Sequence, residues 1–317
     1  MNIIDNIIDK QQFIAPNTIN IYNLVLDQED VLVSIHDNNI DVKSSYNLTD
    51  SQKYRLSLVL PYISRFLLEH PIKHINFVFS VGDCLNKQYD NIPVICFSKK
   101  KYYSGILIPN IDFFTGAMHS FLTDSDNDIP YDYKSNTSIF VGSSTGQFAS
   151  NTRVIYGKKC LDNNITKHQC IINNLCQNDF DTWKDEYPWI IKLIGKSQSI
   201  KNQLTNKIVV NIDGNTVCWS RLYWQMNSNS IPVYINRSQT DIQFFDYVNT
   251  GFGYIDCSLE SSIETLNQIL DTYSAAELNN IIDEGKNFCN KCFFDYKKDP
   301  QSFLQSAINK TFLRIIS

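Results

Sequence analysis

A chain of 317 residues with 43% hydrophobic and 13% aromatic side chains can bury one large core or two ordinary ones, and these proportions exclude extended disorder. A formal net charge of -5 excludes a broadly basic nucleic-acid binder, so any phosphate it holds must be met by a local group of residues. No apolar run reaches the roughly 18 residues of a membrane span, and Asp5, Asp9 and Lys10 interrupt "MNIIDNIIDKQQF" where a signal peptide would be unbroken.

In chain order, "VLVSIHDNNIDVKSS" alternates on both sides of an Asp-Asn-Asn turn and predicts a β-hairpin. "TDSQKYRLSLVLPYISRFLLEH" carries Leu56, Val59, Leu60, Ile63, Phe66 and Leu67 at helical spacing, with a break expected at Pro61. "HINFVFSV", "PVICF" and "SIFVG" read as short buried strands. Ahead of "SIFVG", the polar stretch "TDSDNDIPYDYKSN" is expected to be a solvated linker between a first domain of residues 1–137 and a second of residues 138–300. Farther on, "KIVVNID", "IPVYI" and "GYIDC" predict strands, with an intervening helix that buries Trp219, Leu222, Tyr223 and Met226. The remainder reads as mainly helical, its last segment, 301–317, expected to pack back on the first domain. Strands separated by helices predict an α/β protein with parallel sheets.

Such sheets bind ligands at the carboxyl ends of their strands. The turn "DGNTVCWSR", residues 213–221, occupies that position. Gly214 would let backbone approach a ligand, Asn215 and Thr216 would cap a helix or donate to phosphate oxygens, and Arg221 would add a fork-shaped cation. An ordinary strand-to-helix turn capped by Asn215, with Arg221 solvated, accounts for the same residues, and the P-loop and dinucleotide fingerprints are absent. Asp83, on the small-residue turn "VGDC" after a strand, suits either a general base or a loop cap. "DSDND", residues 124–128, contains an Asp-x-Asp triplet, but Ile129 and Ser135 stand where a calcium loop needs glycine and glutamate. "CNKC", Cys289 to Cys292, lacks a second cysteine pair or a nearby histidine and reads as two packed thiols. His119 is a loop histidine or an acceptor contact. An odd count of nine cysteines suits reduced thiols and a cytoplasmic protein.

Four blocks, taken together and in this order, resemble glycosyltransferase family 90, which includes lipopolysaccharide core glycosyltransferases, capsule-associated xylosyltransferases and protein O-glucosyltransferases. They are "HINFVFSVGDC", "IPVICFSKKKYYSGILIPNIDFF", "FVGSSTGQFASNTR" and "KIVVNIDGNTVCWSRLYWQMNSNSIPVYI", the last followed by "DIQFFDYVNTGFGYID". The resemblance spans roughly residues 70 to 300. Val141 stands where many relatives have arginine, and Gly253 precedes Tyr254 where protein O-glucosyltransferases have histidine.

The resemblance implies two facing Rossmann-like domains of the GT-B type, with a UDP-sugar on the C-terminal domain and the acceptor mainly on the N-terminal one. It implies Asp83 as catalytic base. Donor contacts carry over to Ser143, Arg153 and the turn from Gly214 through Asn215, Thr216, Val217, Cys218, Trp219 and Ser220 to Arg221. The expected reaction is metal-independent, inverting transfer of a hexose or pentose, glucose or xylose favoured, from a UDP-sugar to a glycan or lipid-linked saccharide. No cofactor is expected beyond that donor substrate, and no nucleic acid; a peripheral approach to a membrane through the acceptor stays open. Two alternatives are a metal-dependent transferase using Asp124 and Asp126, and a nucleotide-sugar-binding partner protein without catalysis.

Overall fold

The structure, a computed structural model, describes residues 3–11, 24–146, 151–249 and 251–316. In chain order its first elements are α1 (Ile3–Asp9), β1 (Asp30–His36), β2 (Asn39–Ser44), α2 (Asp50–Glu69), β3 (His74–Ser80), β4 (Val94–Cys96), β5 (Ser98–Lys100), β6 (Ile106–Leu107), α3 (Ile111–Phe114) and α4 (Ala117–Asp126). β7 (Ser135–Ser143), α5 (Thr152–Asn163), β8 (His168–Asn174), α6 (Phe180–Glu186), α7 (Ile200–Gln203), β9 (Asn206–Ile212), α8 (Arg221–Met226) and β10 (Ile231–Ile235) follow. The chain finishes with β11 (Asp241–Gln243), β12 (Ile255–Cys257), α9 (Ser262–Asp271), α10 (Ala275–Lys298) and α11 (Pro300–Ile316). The class is α/β. The chain divides into two compact units, one of residues 1–119, 240–250 and 292–317, the other of residues 120–239 and 251–291.

Unit 1 holds a mixed five-stranded sheet, order β2-β1-β3-β4-β6. β1 is antiparallel to both neighbours, whereas β3, β4 and β6 run parallel. The hairpin turns at Asp37 and Asn38, both left-handed (φ 48° and 66°), a conformation that Asp and Asn tolerate better than most residues. α2 starts on a capping box in which Thr49 accepts from the Gln52 amide and Gln52 accepts from the Thr49 amide. Its buried face is Leu56, Val59, Ile63, Phe66 and Leu67. No break occurs at Pro61: the proline lies on the exposed face, where water can satisfy the Ser57 carbonyl that loses its intrahelical donor. Phe312 of α11 packs against Phe66 and Phe77, with ring centroids 5.2 and 5.3 Å away.

Unit 2 is built on a wholly parallel five-stranded sheet, order β12-β10-β9-β7-β8, compatible with a Rossmann-like domain. Its central strands β9 and β10 are rich in Ile and Val and buried on both faces, as a sheet covered on both sides requires. One face carries Phe140, Ile208, Val210, Ile212 and Val233, the other Ile139, Val141 and Val209, which cluster with Trp224 of α8. The stretch expected to be a solvated linker is ordered: Asp124 to Asp126 close α4, and Asp128 accepts from the buried Lys134 ammonium at 2.7 Å and from the Asn229 amide at 2.7 Å. Asp126 accepts from Asn227, and Asp124 pairs with Lys201 at 3.4 Å. Polar composition matched both a linker and this network; only the partners, among them Asn227 and Asn229 some 100 residues away in sequence, distinguish them. Cys289 and Cys292 are buried thiols on α10. Among the described residues no helix is long and apolar enough to cross a membrane.

Candidate functional site

From β7 the chain of unit 2 crosses to β8 on one side, then returns to β9 on the other. In an open parallel sheet this reversal is the switch point, and ligands sit at the carboxyl ends of the two strands that flank it. Three sequence-predicted groups meet there. Ser143 ends β7, Arg153 lies in the first turn of α5, and the turn from Asp213 follows β9.

Arg153 is 7% exposed and is held almost entirely by strand-end oxygens. Nε and Nη2 donate to the Ile212 carbonyl at 3.2 and 3.0 Å, and Nε also reaches the Asp213 carbonyl at 3.2 Å. Nη1 donates to Thr145 Oγ1 at 2.6 Å and to the Ser143 carbonyl and hydroxyl at 3.2 and 3.3 Å. The guanidinium therefore joins the ends of β7 and β9. Arg221 donates to the Val141 carbonyl, and both arginines lie over the Phe140 ring, at 5.7 Å for Arg153 and 5.3 Å for Arg221. Burial pushes Arg153 below the ordinary arginine value, and the Arg221 cation adds to that.

The nearby carboxylate is Asp213. It accepts from the Cys218 and Ser238 amides, each at 2.8 Å, and from the Tyr234 hydroxyl. Burial raises its pKa, with these donors and Arg153 opposing the rise. Asp213 is thus the organiser of two loops, one after β9 and one after β10. Arg237 caps the same edge, bonded to the Tyr254 hydroxyl and over the Tyr234 and Tyr254 rings, and its charge eases ionisation of Asp256 against the burial that opposes it. Arg153 and Arg221 set against Asp213, with Arg237 set against Asp256, leave one positive charge in excess. Such an edge favours an anion.

The predicted turn differs in form from the expectation. α8 begins only at Arg221, so Gly214 to Ser220 are a loop rather than the first turn of a helix. Gly214 is needed for a close approach, but the approach is by protein: a Cβ there would stand 2.9 Å from Thr145 Oγ1 and 3.0 Å from Arg153 Nη2. Asn215 does not cap a helix; it is exposed and accepts from Gln177 at 2.8 Å. Thr216 and Val217 are buried, Cys218 and Trp219 half-buried, and Ser220 is buried ahead of α8. Residues 147–150 of the "FVGSSTGQFASNTR" block and Thr250 lie outside the described residues.

In unit 1, Asp83 follows β3 on the turn after Ser80. Its side chain is 39% exposed, and Oδ1 accepts from Arg55 at 2.8 Å, while Arg55 also donates to the Val81 carbonyl at 3.0 Å. Ser98 donates to the Asp83 carbonyl, fixing the turn against β5. Beside it stands Glu29, raised above the usual carboxylate range by burial and then by the Asp83 charge. Gly82 makes room for it, since a Cβ there would fall 2.3 Å from Glu29 Oε2. Sequence reasoning missed Glu29, Arg55, Tyr234 and Arg237. Arg55 is one polar position on an amphipathic helix, and Tyr234 one aromatic in a buried strand, so nothing local marks either; the shared partners do. Among the described residues no group of three or more His, Cys, Asp or Glu is placed to hold a metal.

No protein-family model and no curated protein matches this chain.

Proposed function

We propose that the chain is an inverting, metal-independent glycosyltransferase of the GT-B type, with unit 2 holding the diphosphate of a UDP-sugar and Asp83 of unit 1 acting as general base. The observation that carries this reading is the pair of guanidinium groups, Arg153 and Arg221, at the switch point of a parallel sheet. Guanidinium forks suit phosphate oxygens, and Arg221, half-buried with a single carbonyl acceptor, retains N–H groups for one. In the reaction the Asp83 carboxylate takes the proton of an acceptor hydroxyl as its oxygen bonds to the anomeric carbon. The bond from that carbon to the diphosphate breaks, and the electron pair leaves on UDP, where arginine charge stabilises it. Glucose and xylose are the favoured sugars and a glycan or lipid-linked saccharide the acceptor, by the resemblance to family 90.

Titration of the full chain with UDP in a metal-free buffer is the test. Binding should be measurable, and Arg221→Ala should weaken it by about 1.5 to 3 kcal/mol, the range for a hydrogen bond to a charged group. Unchanged affinity in Arg221→Ala would remove the donor assignment, and strict dependence on manganese would favour a metal-dependent transferase. One observation favours a second reading, a nucleotide-sugar-binding protein without catalysis: the Asp83 carboxylate already carries an ion pair with Arg55. UDP binding without product formation over a panel of glycan acceptors would select it.

A further inference from the structure

Unit 1 contains a cavity of about 310 Å³ lined by Lys10, Lys99, Lys101, Ile242, Asp246 and Tyr247. Lys99 is the unusual member. It lies on β5, which pairs antiparallel with β11, and is only 1% exposed. Its neighbour Lys100 is ion-paired with Asp241, as a charge at a strand edge ordinarily is. Lys99 donates instead to two neutral acceptors, the Tyr103 and Gly105 carbonyls at 2.8 and 2.7 Å, and among the described residues no carboxylate pairs with it. The adjacent Cys96 thiol supplies no counter-charge, because complete burial pushes its ionisation well above the neutral range. Lys10 donates to the Tyr247 carbonyl at 3.2 Å, and Lys101 is exposed at the rim.

A buried ammonium facing carbonyls alone is a costly arrangement, and an anion in the adjoining space relieves it. Burial lowers the Lys99 pKa, which a bound anion offsets, and with Lys99 protonated three lysines against one aspartate leave a charge of two in the lining, which a phosphate dianion matches. The volume is at the lower end of the range for small-molecule sites. We propose that this cavity binds a dianionic phosphate group, presented by inorganic phosphate or by the phosphomonoester of a sugar, with Lys99 as its buried anchor. The inference is independent of the donor site, since all six lining residues belong to unit 1.

The test is calorimetric titration of the full chain with inorganic phosphate, glucose 6-phosphate and, as a neutral control, glucose. Either phosphate should bind and glucose should not. Tighter binding of the ester assigns the site to an organic phosphate, and equal affinity assigns it to phosphate itself; both uphold the proposal. Lys99→Met should weaken binding about 10- to 100-fold, the effect of removing one charge-assisted contact. Because Lys99 is buried, the surface pair Lys10→Ala and Lys101→Ala, which leaves the core intact, is measured alongside and should weaken binding about two- to five-fold per lysine. Binding should persist in Arg221→Ala, which separates this cavity from the switch point of unit 2. Absence of phosphate binding by the wild type, wild-type affinity in both lysine variants, or loss of binding in Arg221→Ala would each overturn the proposal.

Discussion

The two five-stranded sheets treat their strand ends differently. In unit 2 every strand points the same way, so carbonyl groups gather along one edge and the residues that satisfy them are cations, Arg153 and Arg221. In unit 1 the antiparallel β1 brings its amino end beside the carboxyl end of β3, since Asp30 pairs with Ser80. The residues gathered there have mixed charge: Glu29 and Asp83, with Arg55 between them in function. The parallel edge carries an excess of positive charge, whereas on the mixed edge the Asp83 carboxylate is set against Arg55.

That contrast is broken first by removing the carboxylate. Asp83→Asn should lower product formation by ~10² to 10⁴, the usual value of a general base, with UDP affinity unchanged. Full activity would leave Asp83 as a loop residue paired to Arg55, and a parallel fall in UDP affinity would move it into the donor site. On the cationic edge, Arg153→Met should destabilise the protein by about 2 to 4 kcal/mol in urea unfolding, because several buried oxygens lose their donor together. Arg221, with one carbonyl acceptor and partial exposure, should cost much less stability than Arg153 when removed. Equal losses would mean that the two arginines share one structural task.

Gly214→Ala sharpens the same point. Its new methyl group would meet Thr145 and Arg153 at 2.9 and 3.0 Å, so a loss of about 1 to 3 kcal/mol is expected in thermal unfolding. The smallest effect is on pH dependence in unit 1. Burial and Asp83 raise the Glu29 pKa on folding, so the folded chain holds that proton more tightly than the unfolded one. The stability this contributes is present below the ordinary value of 4.5 and is lost as pH rises through the raised folded value. Glu29→Gln should therefore flatten the fall in urea midpoint over that window; an unaltered pH profile would show that folding does not raise the Glu29 pKa.

Much of this architecture was legible in residue order. The alternation in "VLVSIH" and "IDVKS", the helical spacing from Leu56 to Leu67 and the apolar runs "KIVVNI" and "IPVYI" all appear as predicted elements, although "VLVSIH" is buried on both faces and only "IDVKS" keeps a burial period of two. Local pattern also brought out the turn at Asp213 and left Asp83 between a base and a loop cap, because a polar residue directly after an apolar strand sits at a sheet edge, whereas Arg153, ten residues past the end of β7, was marked only by the resemblance. Tertiary structure decided the rest. Whether Pro61 breaks α2 depended on which face the proline occupies, and whether "DSDND" is linker or structure depended on Lys134, Lys201 and Asn227. Gly214 has its meaning only through Arg153, a residue 61 positions away in "SNTR". Lys99 and Lys100 are alike in sequence, yet one lies buried against carbonyls and the other pairs with Asp241, because alternate residues of a strand face opposite sides. Sequence determines what each segment buries; charge and hydrogen-bond partners are set by which distant segments the sheet order brings to the same edge.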